Sequence, residues 1–166
     1  MTRPVSAGIL LYRFRNRALE VLLAHPGGPF FSKRDHGIWT IPKGEPAAGD
    51  ELFATAAREF AEETGHVLSV VAHDGGATAV DLGSVVQASG KRVHCWAVEG
   101  DLDPAAATSN TFEMRWPPGI GRLTTFPEID RVAWFTLGEA RRRANRSQAE
   151  FIDRLVPLVE VERAPP

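Results

Sequence analysis

Apolar and polar positions change period several times along the chain, and each change marks an element. Residues 5–14 and 19–25 are aliphatic and β-branched runs separated by Arg15, Asn16 and Arg17, a pattern that predicts a β-hairpin. Residues 26–43 mix glycine, proline and charge around Phe30, Phe31 and Trp39, which suits a long loop with a short strand at 38–41. From 51 to 64, Leu52, Phe53, Ala56, Ala57, Phe60 and Ala61 recur at helical spacing. Asp50 is the candidate N-cap of that helix and Gly65 its C-terminal stop. Residues 67–72, 79–87 and 92–98 read as strands, the last two joined by a turn at 88–91 as an antiparallel pair. Residues 111–116 alternate as a strand, 117–130 read as a second long loop, 131–136 as a final strand, and 137–145 and 147–159 as helices.

Strands broken by one central helix and closed by terminal helices predict an α/β fold, a mixed β-sheet covered on both faces. A length of 166 residues, 43% hydrophobic and 24% charged, suits one domain over 1–166, and no repeat or linker divides it. The formal net charge of −2 provides no broad cationic field, so a nucleic-acid polymer is not an expected partner. A polyanionic ligand has to be held by a few placed cations or by metal. Cys95 is the one cysteine, which excludes an internal disulfide, and its apolar surroundings place it in the core. The apolar stretch 7–12 runs into Arg13, Arg15 and Arg17 without a small-residue cleavage pattern, and no run nears the ~20 apolar residues of a membrane span. The expected location is cytoplasmic, with no membrane partner.

The chemistry concentrates in Arg58-Glu59-Phe60-Ala61-Glu62-Glu63-Thr64-Gly65. Glu59, Glu62 and Glu63 stand at i, i+3 and i+4, so they project from one side of the helix while Ala56 and Phe60 occupy the other. Like charges at these spacings cost roughly 0.2–0.5 kcal/mol per pair. They also crowd the negative end of the helix dipole. A divalent cation removes both penalties, and an oxygen-only cluster suits Mg²⁺ or Mn²⁺. Taken alone, a Glu-x-x-Glu-Glu is more often a solvated acidic face.

Its surroundings change that balance. Trp39-Thr40-Ile41-Pro42-Lys43-Gly44-Glu45 followed by residues 58–65 resembles the signature of the Nudix hydrolases, G-x5-E-x7-R-E-U-x-E-E-x-G-U, where U is bulky and aliphatic. Gly44, Arg58, Glu59, Phe60, Glu62, Glu63 and Gly65 fall in register. Asp50 replaces the first glutamate, with Glu51 beside it, and His66 replaces the last aliphatic residue, where it is expected as a partly buried packing residue. The resemblance implies an α/β/α sandwich and a metal-dependent pyrophosphohydrolase acting on a nucleoside diphosphate linked to another moiety. It implies Glu59, Glu62 and Glu63 as metal ligands, a backbone carbonyl at Gly44, and Arg58 as the residue that orients the cluster. The family often adds a carboxylate from a loop before a late strand. Glu128 is the candidate for that role, as ligand or general base, and Glu113 the runner-up. A homodimer is a further expectation from the resemblance.

The implied reaction is in-line attack of a metal-activated water on phosphorus, with Glu59 or Glu128 taking the proton. Lys43 is the first candidate for phosphate contact, ahead of Lys33, Arg34 and Arg122, while Phe30, Phe31 or Trp116 could stack a nucleobase. Specificity is expected in 26–35 and 116–130. Arg141, Arg142, Arg143 and Arg146 read as a water-facing complement to a helix C-terminus. Two other readings stay open: a Nudix-like module that binds a nucleotide without cleaving it, and a metal-free acidic scaffold helix.

Overall fold

The structure is a computed structural model that describes residues 4–68 and 79–162; most of the strand expected at 67–72 lies outside that range. Strands β1 (Val5–Arg15) and β2 (Ala18–Pro26) form the expected hairpin. Asn16 and Arg17 both have positive φ, 52° and 68°, the primed-turn geometry whose twist matches the flanking strands. A short β3 (Lys43–Gly44) precedes helix α1 (Leu52–Thr64), and β4 (Val80–Val86) and β5 (Arg92–Glu99) follow as an antiparallel pair. Strands β6 (Thr111–Trp116), β7 (Arg122–Pro127) and β8 (Ile129–Thr136) and helices α2 (Leu137–Arg143) and α3 (Ala149–Glu162) complete the described chain.

The main sheet runs β4-β5-β1-β2-β8, with β1 parallel to β5 and antiparallel to β2. Lying at its centre, β1 is buried on both faces, which explains its continuous apolar run. Leu10, Val21, Leu23 and Cys95 pack one face under Ala140 of α2 and Phe151, Ile152 and Leu155 of α3. Ile9, Leu11, Leu22 and Val98 pack the opposite face under Ala56 and Phe60 of α1. The result is the expected mixed sheet between helical layers, with Cys95 fully buried.

The hairpin separates where the site begins. Strand β1 pairs with β2 only from Tyr12 to Arg15; nearer its start the same edge bonds residues 42–44, through Ala7↔Gly44, Gly8↔Lys43 and Ile9 N–H to Pro42 O. On the other side, Thr40 exchanges both backbone bonds with Ala24 of β2. Residues 39–44 thus wedge between the two strands. The strand expected at 38–41 is reduced to bridges at Trp39 and Thr40, because the chain switches partners there.

Three further expectations change. Residues 117–130 are not one loop: β7 pairs with β6 from Thr111↔Pro127 to Trp116↔Arg122, a ribbon apart from the main sheet. The prolines and glycines at 117–121 turn the ribbon instead of ending the strand pattern. At the start of α1, Glu51 occupies the cap position without a side-chain bond, while the Asp50 carboxylate accepts from Ala47 N–H at 3.1 Å and closes its own loop. Gly65 does end α1, with φ 73° and its N–H on Ala61 O, and His66 is exposed instead of packed. Among the described residues no helix is long and apolar enough to cross a membrane.

Candidate active site

Helix α1 buries Ala56 and Phe60 against the sheet, and this fixes where its charged residues can point. Glu59 lies over Gly44. A β-carbon at position 44 would stand 2.0 Å from Glu59 Cδ and 2.3 Å from each carboxylate oxygen, so only glycine permits the approach. Glu63 turns to the same strand, its Oε2 accepting from Lys43 N–H at 3.1 Å. Arg58 Nη1 donates to Glu59 Oε1 at 3.0 Å and Glu62 Oε1 at 3.1 Å, and Nη2 reaches the Glu45 carbonyl at 3.4 Å. The i,i+4 spacing favours the Arg58–Glu62 pair, which leaves Glu62 41% exposed on the helix flank.

Glu128 is brought opposite by backbone alone. The last carbonyls of α1 accept from the segment that follows β5, with Thr108 N–H on Thr64 O and Asn110 N–H on Glu62 O. The Asn110 carbonyl then accepts from Glu128 N–H, and the Glu128 carbonyl accepts from Gly27 N–H, each at 2.8 Å. Ser109 Oγ accepts from Ile129 N–H at 3.0 Å. Helix end, strand end and the 26–43 loop therefore share one bracket. Residues 108–110 carry no sequence signal for this role.

A cleft of about 370 Å³ opens between these parts; Lys43, Glu63, Glu128, Phe31, Arg34 and Gln148 are among its lining residues. Burial pushes the Glu63 carboxyl up to about 8, against the opposing pull of Lys43, and the charges of Glu59 and Glu128 add to the rise. Burial also raises Glu59, helped by Glu62 and Glu128 and opposed by Arg58. The Lys43 ammonium is held below the ordinary lysine value, chiefly by burial. Two carboxylates thus sit where negative charge is disfavoured, each within electrostatic reach of a third.

That environment fits a divalent cation in its donor chemistry: oxygen ligands only, with charge that an ion would relieve. The ligand set is not assembled as the side chains stand. Among the described residues, no three His, Cys, Asp or Glu side chains are grouped closely enough to hold an ion. Glu62 would have to turn away from Arg58 to join such a set.

The remaining candidates divide by position. Arg34 and Phe31 line the cleft, whereas Lys33 is exposed outside its lining. Arg122 and Glu113 lie on the β6–β7 ribbon away from the cleft lining. Trp116, at the end of β6, packs edge-on against Phe30 at 5.2 Å between ring centroids. Arg143 does not face water as expected: it pairs with Asp35 and stacks over Phe135, tying the 26–43 loop to α2. Arg141 and Arg142 pair with Asp153 and Glu139. A larger open hollow of about 730 Å³ lies beside Trp134, where Arg13 is held by Glu20 and Asp101; it contains none of the candidate carboxylates.

His25, absent from the expected site, is fully buried. Its Nδ1 is 2.8 Å from Asp130 Oδ1 and its Nε2 is 2.7 Å from the Arg34 carbonyl. It braces the loop that carries Arg34 against the strand that follows Glu128. A lone histidine ending an apolar strand gives no hint of a partner 105 positions away.

Comparison with known proteins agrees with this architecture. The chain is similar to a Caenorhabditis elegans Ap4A hydrolase in a binary complex, with TM-score 0.67 and 18% identity over 94% of this chain and 98% of that one. It is also similar to the NUDIX domain of Shewanella oneidensis NrtR complexed with ADP ribose, with TM-score 0.65 and 16% identity over 96% and 90% of the two chains. NrtR from the same organism, complexed with a 27mer DNA, aligns with TM-score 0.56 and 15% identity over 95% of this chain and 63% of that one. A search of curated proteins returns no significant match. The family model of the NUDIX domain matches residues 2–155, and on that match, over the sheet, wedge and carboxylate helix described above, the chain belongs to the Nudix family.

Proposed function

We propose that the protein hydrolyses the phosphoanhydride of a nucleoside diphosphate linked to another moiety, using Mg²⁺ or Mn²⁺. The observation that carries the reading is the gathering of Glu59 and Glu63 over Lys43-Gly44, beside a cleft that Lys43, Glu63 and Glu128 line. The ion would be held by Glu59, Glu62 and Glu63, with the Gly44 carbonyl and Glu128 completing the oxygen set. When bound, such an ion neutralises charge on the phosphoryl oxygens and eases attack by water.

The chain's own groups supply the rest. Lys43, lining the cleft beside Glu63, donates to a phosphate oxygen. Glu128 takes the proton of the attacking water; its backbone is pinned from both sides while its side chain stays exposed. Glu59 is the other candidate base, since a carboxylate held above its ordinary value accepts a proton more readily. Arg58 positions Glu59 and, in this reading, gives up Glu62 when the ion binds.

A panel of dinucleoside polyphosphates, nucleoside triphosphates, ADP-ribose and nucleotide sugars, turned over in ¹⁸O-water with Mg²⁺ or Mn²⁺, tests this directly. Label is expected in one product of at least one substrate and not with Glu63→Gln. Equal turnover by that variant would remove the assigned site.

Two observations favour a second reading. Glu62 is engaged by Arg58, and Asp50 serves its own loop instead of the helix, so the fold also suits a module that binds a nucleotide without cleaving it. Calorimetric binding of a nucleotide with no labelled product across the panel would select it.

A further inference from the structure

Seven large apolar side chains stand exposed among the described residues, and four of them, Phe30, Trp116, Ile120 and Leu123, belong to the β6–β7 ribbon or to the loop it touches. Single exposed apolar groups are ordinary on a protein surface; a gathering on one projection is not. Side chains alternate along each strand, which puts Phe112, Met114 and Phe126 on the half-buried face of the ribbon and Arg115 and Leu123 on the outer one. Phe112 and Phe126 pack on each other at 5.9 Å between ring centroids, so the inner face is already served. Ile120 is almost wholly exposed in a turn of prolines and glycines, where the fold has no use for an apolar side chain.

Near this tip the charge is of one sign. Arg115 and Arg122 are both exposed, and neither has a carboxylate partner among the described residues. Arg115 Nη1 donates to the Gly121 carbonyl at 3.2 Å, which holds its guanidinium at the turn. By contrast Arg13, Arg58, Arg141, Arg142 and Arg154 each pair with an Asp or Glu. Glu113 is the one acidic residue from 111 to 127, and it stands two positions farther from the turn than Arg115. In a chain of formal net charge −2 these cations are a local feature.

Apolar groups at the end of a projection, flanked by arginines, suit an anionic lipid surface. The tip enters the boundary between headgroups and acyl chains, tryptophan belongs at that level, and guanidinium groups meet the phosphates. A second copy of the chain fits less well, because joining two tips about a twofold axis sets the arginines of both against each other. We propose that the end of the β6–β7 ribbon is a peripheral membrane contact, which seats the protein on an anionic lipid surface through Trp116, Ile120 and Leu123, with Arg115 and Arg122 on the headgroups. The lack of a spanning run does not bear on such a seat, which lies on the bilayer without crossing it. The inference stands whether or not the chain hydrolyses a nucleotide.

The test sediments the full chain with vesicles of phosphatidylcholine alone and of phosphatidylcholine mixed with phosphatidylserine. The wild type is expected to partition onto the mixed vesicles at least about ten-fold more strongly, the scale of two cations near an anionic surface, and raised salt should remove most of that difference. Ile120→Ser with Leu123→Ser, and separately Arg115→Gln with Arg122→Gln, should each lower partitioning onto the mixed vesicles by about ten-fold with an unchanged circular dichroism spectrum. The first pair leaves the Arg115–Gly121 bond in place and serves if the second does not fold. A wild type that stays in solution with both vesicles, equal partitioning onto the two, or a folded variant pair that binds as the wild type does overturns the proposal. So does a lipid-free dimer in sedimentation equilibrium that Ile120→Ser with Leu123→Ser dissociates, because it assigns the tip to a second copy.

Discussion

The carboxylate wall of the cleft and the β6–β7 ribbon beside it are built on opposite plans. The wall is over-determined: α1 is packed on the sheet by Ala56 and Phe60, its end is bonded by Thr108 and Asn110, and Gly44 lies so close to Glu59 that no side chain fits between. The ribbon is two strands outside the main sheet, with Ile120 89% and Leu123 61% exposed, and a pair of strands alone is marginal in water. Beyond the backbone bonds at its base, it touches the 26–43 loop through Phe30–Trp116 and the close pass of Gly28 by Phe112. Groups meant for chemistry stand where backbone and packing leave no freedom, and groups beside the entrance stand where the chain can adjust.

Breaking the wall should have the largest effect. Glu63→Gln is expected to lower kcat by about 10²–10⁴-fold on whichever substrate the panel identifies, with an unchanged circular dichroism spectrum. Replacing Glu63 also tests the electrostatics of the metal-free protein. Its folded carboxyl is raised from 4.5 to about 8, so the fold holds that proton more tightly than the unfolded chain does. The contribution to stability is present below 4.5 and is lost as pH rises toward 8. Urea midpoints of the metal-free wild type should therefore fall across that window, and those of Glu63→Gln should fall less. A parallel decline in both would assign the loss to other groups.

Gly44→Ala pushes the flexible tip of Glu59 aside and is expected to cost less than about 1 kcal/mol by urea denaturation while removing most of the activity. Full activity would mean that Glu59 works from elsewhere. His25→Phe removes the brace and leaves Asp130 and the Arg34 carbonyl without it, for a loss of about 1–3 kcal/mol. Because the brace acts on the loop and not on the reacting atoms, KM should rise several-fold while kcat changes little. Smallest of all, the Ile120→Ser and Leu123→Ser pair on the ribbon should leave stability within about 0.5 kcal/mol and kcat unaltered. A large loss there would mean that the ribbon is covered in solution.

The wall was also the legible part. Glu59 and Glu63 share a helix, so their spacing put both toward Lys43-Gly44, at a fixed offset from them in the sequence, whereas Glu62, expected with them, turns to Arg58 on the flank. Strands β1, β2, β5 and β8 were readable because their apolar runs are long and buried. The ribbon was hidden by Pro117, Pro118 and Gly119, whose turn signal reads the same inside a hairpin as between separate elements. The helix cap failed because Asp50 had a nearer donor in Ala47. His25 with Asp130, and Gln148 with Ile41, depend on contacts more than 100 positions apart, which no local pattern encodes.

The wedge of 39–44 between β1 and β2 has one more consequence. Because its ends are stitched to Ala24 on one side and to Ile9 and Ala7 on the other, the placement of Gly44 is independent of how many residues precede Trp39. Insertions or deletions within 28–34 therefore reshape the rim without shifting Gly44 against β1. Such a scaffold lets the rim diverge by indels while the carboxylate helix and the segment it packs on are inherited intact.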